Sequence, residues 1–248
     1  MTPDNLNLLF NKLYFDDLEY TETVAENGKD KKPKIISQNN YNSDIINRRF
    51  DHAREYAPCS IPECSTFLLQ TVYPGLLIGI GNSHDAISSD DAFKLGFSFD
   101  YTSGLPIIHG STVKGVLRSH FREHPDAVSA ILNHLGIDVA PKDIKKCETE
   151  IFEDEDCFLD AVVYKGDSHG LIVGKDYITP HGDDATKSIT PLMMLRILPD
   201  VKFEFRFVLK SRTLSAESKL KLFEMLFILF GIGGKTNVGY GRLVQTSK

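Results

Sequence analysis

A glycine-rich segment near the end of the chain constrains the fold most, because it requires a tight turn between two regular elements. Residues 230–242 read FGIGGKTNVGYGR and contain five glycines together with Lys235 and Arg242. Glycine permits positive φ and close backbone approach, and successive free N–H groups can form an anion-binding nest. The segment predicts a phosphate-binding loop or, alternatively, a helix-to-strand turn whose glycines serve tight geometry alone.

A nucleotide-binding P-loop is the first phosphate site to consider. That motif requires G-x-x-x-x-G-K-[ST] between a strand and a helix. Gly234, Lys235 and Thr236 match its end, but Leu229 occupies the position of the first glycine. The preceding residues 215–230 have apolar side chains at helical spacing, and we expect no long helix to follow. The order of elements is therefore wrong for an ATPase.

A second motif, GLPIIHGSTVKGVLR at residues 104–118, predicts a turn that leads into a helix. Gly110 allows the turn, and Ser111 or Thr112 is a suitable N-cap. Three cations at four-residue spacing share one face of the predicted helix: Lys114, Arg118 and Arg122. A helix N-terminus beside cations is suited to a backbone phosphate. The alternative is an exposed charged face on an amphipathic helix.

Together, the two motifs resemble the RAMP superfamily of CRISPR-associated proteins. The shared features are a glycine turn followed by Ser/Thr-x-Lys-Gly-x-Leu-Arg and a C-terminal Gly-Gly-Lys-Thr…Gly-Tyr-Gly loop. Two segments are most similar in sequence to the small terminal RAMP subunit of type III-B (Cmr) effector complexes: residues 233–241, and DYITPH at 176–181. The resemblance covers about residues 65–246 and implies a ferredoxin-like (RRM-like) fold.

The resemblance also implies a function. We expect a noncatalytic guide-RNA-binding and assembly subunit that grips the CRISPR RNA backbone towards its 3′ end, largely independently of sequence. The expected partners are the guide and its paired target RNA, a neighbouring RAMP backbone subunit and a small helical subunit. No cofactor or metal is expected. The expected RNA-binding residues lie in the two motifs: Gly110, Ser111, Lys114, Arg118, Gly233, Gly234, Lys235, Thr236, Asn237, Gly239, Tyr240 and Arg242.

Catalysis is the alternative function. His109 precedes the glycine turn and could act as a general acid–base on a ribose 2′-OH. The chain would then be a metal-independent RAMP endoribonuclease that processes CRISPR RNA. No second catalytic partner is evident for His109, so we expect it to pack or to bind phosphate. Asp100 lacks a companion carboxylate for a metal site, and we interpret it as structural.

The order of elements predicts an α+β protein. We expect an N-terminal helical extension over residues 1–60, with a mobile loop at 19–34, and a single RAMP domain with insertions over 61–248. The predicted helices cover 4–13, 43–55, 111–134 with a break near Pro125, and 215–230. The predicted strands cover 65–79, 94–101, 158–164, 171–178, 190–198, 201–209 and 242–245, with a hairpin through Pro199 and Asp200. Residues 179–188 could form a duplex-wedging thumb of the kind that RAMP backbone subunits use.

The net charge and the cysteine spacing limit the classes of function and of metal site that the chain can have. The net charge of −6 argues against a general nucleic-acid binder, although cations dominate after Lys202 and acids dominate between Glu148 and Asp160. The acidic run predicts a solvated loop or a protein-facing surface. The four cysteines have no zinc-motif spacing, so we expect reduced thiols; the alternative is a metal site with His169 or His181.

The chain shows no apolar run of transmembrane length and no signal-peptide pattern at its start. We therefore expect a cytoplasmic protein with no membrane partner.

Overall fold

The computed structural model describes residues 4–16, 18–21, 34–37, 41–84, 92–179 and 191–246. Its strands are β1 (Leu18–Thr21), β2 (Lys34–Ser37), β3 (Cys64–Thr71), β4 (Ile107–Ile108), β5 (Cys157–Phe158), β6 (Ala161–Lys165), β7 (Val173–Ile178), β8 (Leu192–Ile197), β9 (Lys202–Val208) and β10 (Leu243–Gln245). Its α-helices are α1 (Leu6–Leu8), α2 (Tyr14–Asp16), α3 (Tyr41–Ile46), α4 (His52–Glu55), α5 (Gly110–Glu123), α6 (Pro125–His134), α7 (Ile144–Glu153) and α8 (Ala216–Phe230). A π-helical turn (Leu9–Leu13) joins α1 to α2, and 3-10 turns cover Pro141–Asp143 and Thr236–Val238.

The main sheet has the ferredoxin-like order. Its strands lie as β10-β3-β9-β6-β4, all neighbours are antiparallel, and β5 also pairs with β9. Along the chain, the core elements run β3, α5, β6, β9, α8 and β10. This is the β-α-β-β-α-β succession, with the fourth core strand next to the first. The predicted fold class is therefore confirmed.

An aromatic core joins the sheet to its helices. Phe203, Phe205 and Phe207 are fully buried on β9, as their alternation with polar residues predicts. The ring of Phe205 lies 4.9 Å from Phe227, and Phe207 lies 5.4 Å from Phe223, both on α8. Such contacts fix α8 against the sheet, and so they fix the start of the glycine-rich loop that follows it.

The predicted strand over 65–79 ends at Thr71, and two further strand predictions are wrong. The strand β8 pairs with β7 rather than with β9, so no hairpin forms through Asp200. The Asp200 N–H donates to the Thr71 carbonyl (2.8 Å), and the Thr71 hydroxyl donates to the Leu198 carbonyl (2.7 Å), which carries the chain from one sheet to the other. Residues 94–101 form isolated bridges instead of a strand.

The acidic run needs a further correction, because α7 covers its first part, where the sequence predicts a solvated loop or, alternatively, a protein-facing surface. At the N-terminus, the predicted loop 19–34 instead begins and ends in the paired strands β1 and β2, and residues 22–33 lie outside the described residues. Residues 180–190, which include most of the predicted thumb, are likewise outside them. The division of the chain at residue 60 stays a prediction.

Candidate nucleic-acid interface

The C-terminal glycine-rich loop packs closely on the segment that follows β3. The Gly234 N–H donates to the Leu77 carbonyl (2.9 Å), and the Gly241 N–H donates to the Gly75 carbonyl (2.8 Å). Gly241 has φ +73°, and a Cβ there would lie 1.9 Å from the Ile232 carbonyl oxygen. Side chains are excluded at such positions, so part of the glycine pattern serves the fold.

The outer part of the same loop faces solvent. Lys235 adopts the left-handed conformation with φ +57° and starts a single 3-10 turn, Thr236–Val238. The side chains of Lys235, Asn237 and Val238 are exposed. Across the described parts of the chain, no carboxylate forms an ion pair with Lys235. Its ammonium group is therefore available to an external anion.

The structure brings the two glycine motifs together at one pocket of about 220 Å³. His109 and Thr112 come from the first motif, and Gly233 and Gly234 come from the second. Residues 77–81 also line the pocket. The two motifs thus form one surface, as a shared ligand requires.

The N-terminus of α5 is largely satisfied by the chain itself. The helix begins at Gly110 with His109 as the N-cap, rather than with Ser111 or Thr112. The Gly110 N–H donates to Asp160 Oδ1 (2.7 Å), and the Thr112 N–H donates to the His109 carbonyl (2.8 Å). A carboxylate already occupies this end of the helix dipole, which leaves the exposed Ser111 and Thr112 side chains as the groups offered to a ligand.

The cation stripe of α5 faces α7. Arg118 Nε donates to Glu148 Oε1 (2.8 Å), and its terminal nitrogen donates to Glu153. Arg122 Nε donates to the same Glu148 oxygen (2.6 Å). Lys114 Nζ lies 5.7 Å from the centre of the Phe158 ring. Arg118 and Arg122 therefore join α5 to α7, and Arg118 in particular is engaged within the protein.

The two arginine contacts affect the pKa of Glu148. Burial raises the pKa of that carboxyl, but the hydrogen bonds from Arg118 and Arg122 outweigh it, and the net pKa is lower than usual. Sequence reasoning missed α7 because its acids suggested a loop. The signal was the apolar spacing of Ile144, Ile151 and Phe152, which are all buried.

Tyr240 and Arg242 anchor the loop at its far end. Tyr240 Oη donates to Asp176 Oδ2 (2.7 Å), and burial together with that carboxylate raises the pKa of Tyr240 to about 12. Asp176 also pairs with Arg196 Nε (3.3 Å), whose guanidinium donates to the Pro74 carbonyl. Arg242 is exposed and donates to the Leu229 carbonyl at the end of α8 (3.0 Å).

His109 is exposed and is the one titratable side chain among the described residues that line the pocket. Asp100 lies elsewhere, where its carboxylate accepts the Ser103 N–H (2.6 Å) and supports a turn. Within the described residues, no three His, Cys, Asp or Glu side chains are placed to hold a metal ion. No described helix is both apolar enough and long enough to traverse a bilayer.

The sequence model of the RAMP superfamily matches residues 68–244, which include both glycine motifs and the ferredoxin-like core. The chain therefore belongs to the RAMP superfamily. It is 29% identical over 181 residues to the CRISPR system CMR subunit Cmr6 of Saccharolobus solfataricus, a match that covers 69% of this chain and 54% of the relative. The chain thus spans about half the length of this curated relative.

One solved structure shares the fold. A chain of the type III-B Cmr-beta complex bound to cognate target RNA, solved by cryo-EM, superposes with a TM-score of 0.54 at 24% identity, over 74% of this chain and 58% of that one. The crystal structure of Cmr6 from Pyrococcus furiosus gives a TM-score of 0.48 at 20% identity, over 75% of this chain and 100% of that one.

Proposed function

We propose that this chain is a noncatalytic subunit of a type III-B Cmr effector complex that binds the guide RNA backbone towards its 3′ end and helps to assemble the complex. The observation that carries the proposal is the shared pocket of the two glycine motifs, with the exposed Lys235 on the glycine-rich loop. The similarity to the CMR subunit Cmr6 supports the choice of complex. We propose that the protein is located in the cytoplasm.

The proposed contacts are mainly to phosphate and ribose. Lys235 and Arg242 supply positive charge, while Asn237 and Ser111 supply exposed hydrogen-bonding groups. Glycines at the loop let an RNA backbone approach closely, and such contacts position RNA without reading its sequence. We assign Arg118 a supporting role, because its guanidinium holds α7 against α5.

Salt-dependent binding of single-stranded RNA tests the proposal. Each phosphate contact contributes about 0.7 to the slope of log affinity against log salt for a single strand. We expect Lys235→Ala to weaken binding and to reduce that slope by about this amount. Lys221→Ala is the matched control, since Lys221 is exposed on α8 but pairs with Glu217 (2.7 Å). An unchanged slope in Lys235→Ala would contradict the proposed grip.

The noncatalytic assignment has its own test. General acid–base cleavage of RNA needs two groups of suitable pKa around the reacting ribose, and His109 is the one titratable group among the described lining residues. We expect the purified chain to leave CRISPR repeat RNA intact in the presence of a chelator. Specific products that disappear in His109→Ala would favour the endoribonuclease alternative instead.

The assembly role extends to a neighbouring RAMP backbone subunit, a small helical subunit and target RNA paired with the guide. Reconstitution of the complex with and without this chain tests it. We expect nuclease protection of the guide to shorten at its 3′ end when the chain is omitted. Unchanged protection would mean that the chain has no contact with the guide there.

A further inference from the structure

Tyr73 presents its aromatic ring to solvent beside the glycine-rich loop. Its side chain is 81% exposed, whereas most aromatic residues of the chain lie in the core. A tyrosine ring combines apolar faces with a polar hydroxyl, so an exposed tyrosine can stack on a partner while its hydroxyl stays in water. Tyr73 lies two residues after the end of β3 and precedes Pro74.

The turn that carries Tyr73 is held firmly at its backbone. The Val72 N–H donates to the Arg242 carbonyl (3.3 Å), and the Gly75 N–H donates to the Val72 carbonyl (2.8 Å). The Gly241 N–H donates to the Gly75 carbonyl (2.8 Å), and Arg196 holds the Pro74 carbonyl. The ring is therefore exposed on a fixed support and not at the tip of a free loop.

The glycine-rich loop, which carries two exposed cations, borders the turn that holds this ring. Pro74 packs against Gly239 of the loop, since a Cβ added to Gly239 would lie 3.6 Å from Pro74 Cδ. Exposed Arg242 and Lys235 belong to the same loop. Aromatic rings beside cations along a groove are typical of single-stranded nucleic-acid sites.

We propose that Tyr73 stacks on an unpaired base of the RNA whose backbone the glycine-rich loop holds. The inference rests on the proposed function and deepens it, because it assigns the ligand a single-stranded character at this point. A base inside a duplex has both faces covered by its neighbours, so Tyr73 can stack only on a base in a single strand or at the end of a duplex. We therefore expect the RNA to leave the guide–target duplex, or to lie at or beyond its end, where it meets the turn at 72–75.

The test measures binding of the full chain to a fluorescent uridine oligomer of about ten nucleotides, over a range of salt. Loss of one base–aromatic stack weakens binding by about tenfold, and we expect this for Tyr73→Ala at every salt concentration, with an unchanged slope. Tyr73→Phe should retain the parental affinity, because stacking needs the ring and not the hydroxyl. Tyr101→Ala is the matched control, since Tyr101 is 88% exposed but follows the carboxylate of Asp100.

An oligomer without bases separates stacking from phosphate contact. Tyr73→Ala and the parental chain should bind an abasic oligomer of the same length equally well, whereas Lys235→Ala should bind it more weakly. Equal weakening of both oligomers by Tyr73→Ala would overturn the stacking proposal.

The remaining outcomes distinguish the two proposals. If Lys235→Ala changes the salt slope while Tyr73→Ala has no effect, stacking is refuted and the backbone grip stands. If neither variant alters RNA binding, both fail. If Tyr73→Ala lowers incorporation into the reconstituted complex but leaves RNA affinity unchanged, Tyr73 contacts a protein subunit and the stacking proposal is wrong.

Discussion

Removal of the buried charge of Lys219 should destabilise the protein strongly. Its side chain on α8 is fully buried, and Nζ contacts Asp156 Oδ2 (2.7 Å), the Lys210 carbonyl (2.9 Å) and Glu150 Oε1 (3.5 Å). Asp156 is also buried and accepts the Lys210 N–H at its other oxygen (2.7 Å). Lys219→Met keeps the apolar stem and deletes the ammonium group, which leaves the Asp156 carboxylate buried without its cation.

The expected loss follows from that isolated carboxylate. Truncation of one member of a buried ion pair costs about 3–5 kcal/mol of stability. This is a large share of the free energy of unfolding of a domain, which is roughly 5–15 kcal/mol. For a chain of this size, each kcal/mol shifts Tm by about 2–4 °C. We therefore expect Tm to fall by about 6–20 °C, and the urea midpoint to fall with an unchanged m-value.

Two further variants make the measurement decisive. Lys221→Met lies two residues away on α8, but Lys221 is exposed and pairs with an exposed Glu217, so its Tm should match that of the parent. Addition of Asp156→Asn to Lys219→Met should restore part of the loss, since the uncompensated charge is gone. A Lys219→Met protein as stable as its parent, or a double variant less stable than the single one, would refute the reasoning.

Three further changes test other parts of the structure. Gly115→Ala should raise stability by about 0.5–1 kcal/mol, because Gly115 is exposed on α5 and an added Cβ meets no atom within 4 Å; lower Tm would contradict this. Gly241→Ala should destabilise by about 2 kcal/mol or more, from positive φ and the clash with the Ile232 carbonyl; urea unfolding measures it, and an unchanged midpoint would contradict the packing. The stabilisation from Glu148 should be complete above its usual pKa of 4.5 and be lost as pH falls through the lower folded-state pKa. The Glu148→Gln variant should then be less stable than the parent at pH 7, and the two stabilities should converge in acid. A stability difference that does not change with pH would show that the ion pairs of Glu148 are not the source of the stabilisation.

Local signals in the sequence were sufficient for elements whose boundaries depend on nearby residues. Ser215 caps α8 by accepting the Ser218 N–H (3.1 Å), and Pro125 separates α5 from α6 as predicted. Alternation on β9 identified its buried face. Each of these features depends on residues that are only a few positions apart, and over that range residue propensity and hydrophobic periodicity predict secondary structure.

The errors concern partners that are distant in sequence. The choice of β7 over β9 as the neighbour of β8 depends on hydrogen bonds of Thr71 to residues 198–201, about 130 positions away. The role of Arg118 depends on α7, whose Glu148 is 30 positions away. No local pattern distinguishes a cation that faces RNA from one that faces a helix in the same chain. The tertiary structure decides that question.

Individual glycines within the two motifs consequently have different physical explanations. Those at 110, 231, 233 and 241 lie against backbone within 2.5 Å of where a Cβ would be, so the fold alone requires them. Gly115 has open space around it, and in a helix it costs stability relative to alanine without any packing reason. The glycine motif of α5 therefore retains a residue that the fold does not need, on the exposed face that also carries Ser111. We expect Gly115→Ala to stabilise the chain and to weaken RNA binding, because a methyl group would hold the RNA backbone away from the helix. Stabilisation with unchanged affinity would show that RNA does not approach α5 at this point.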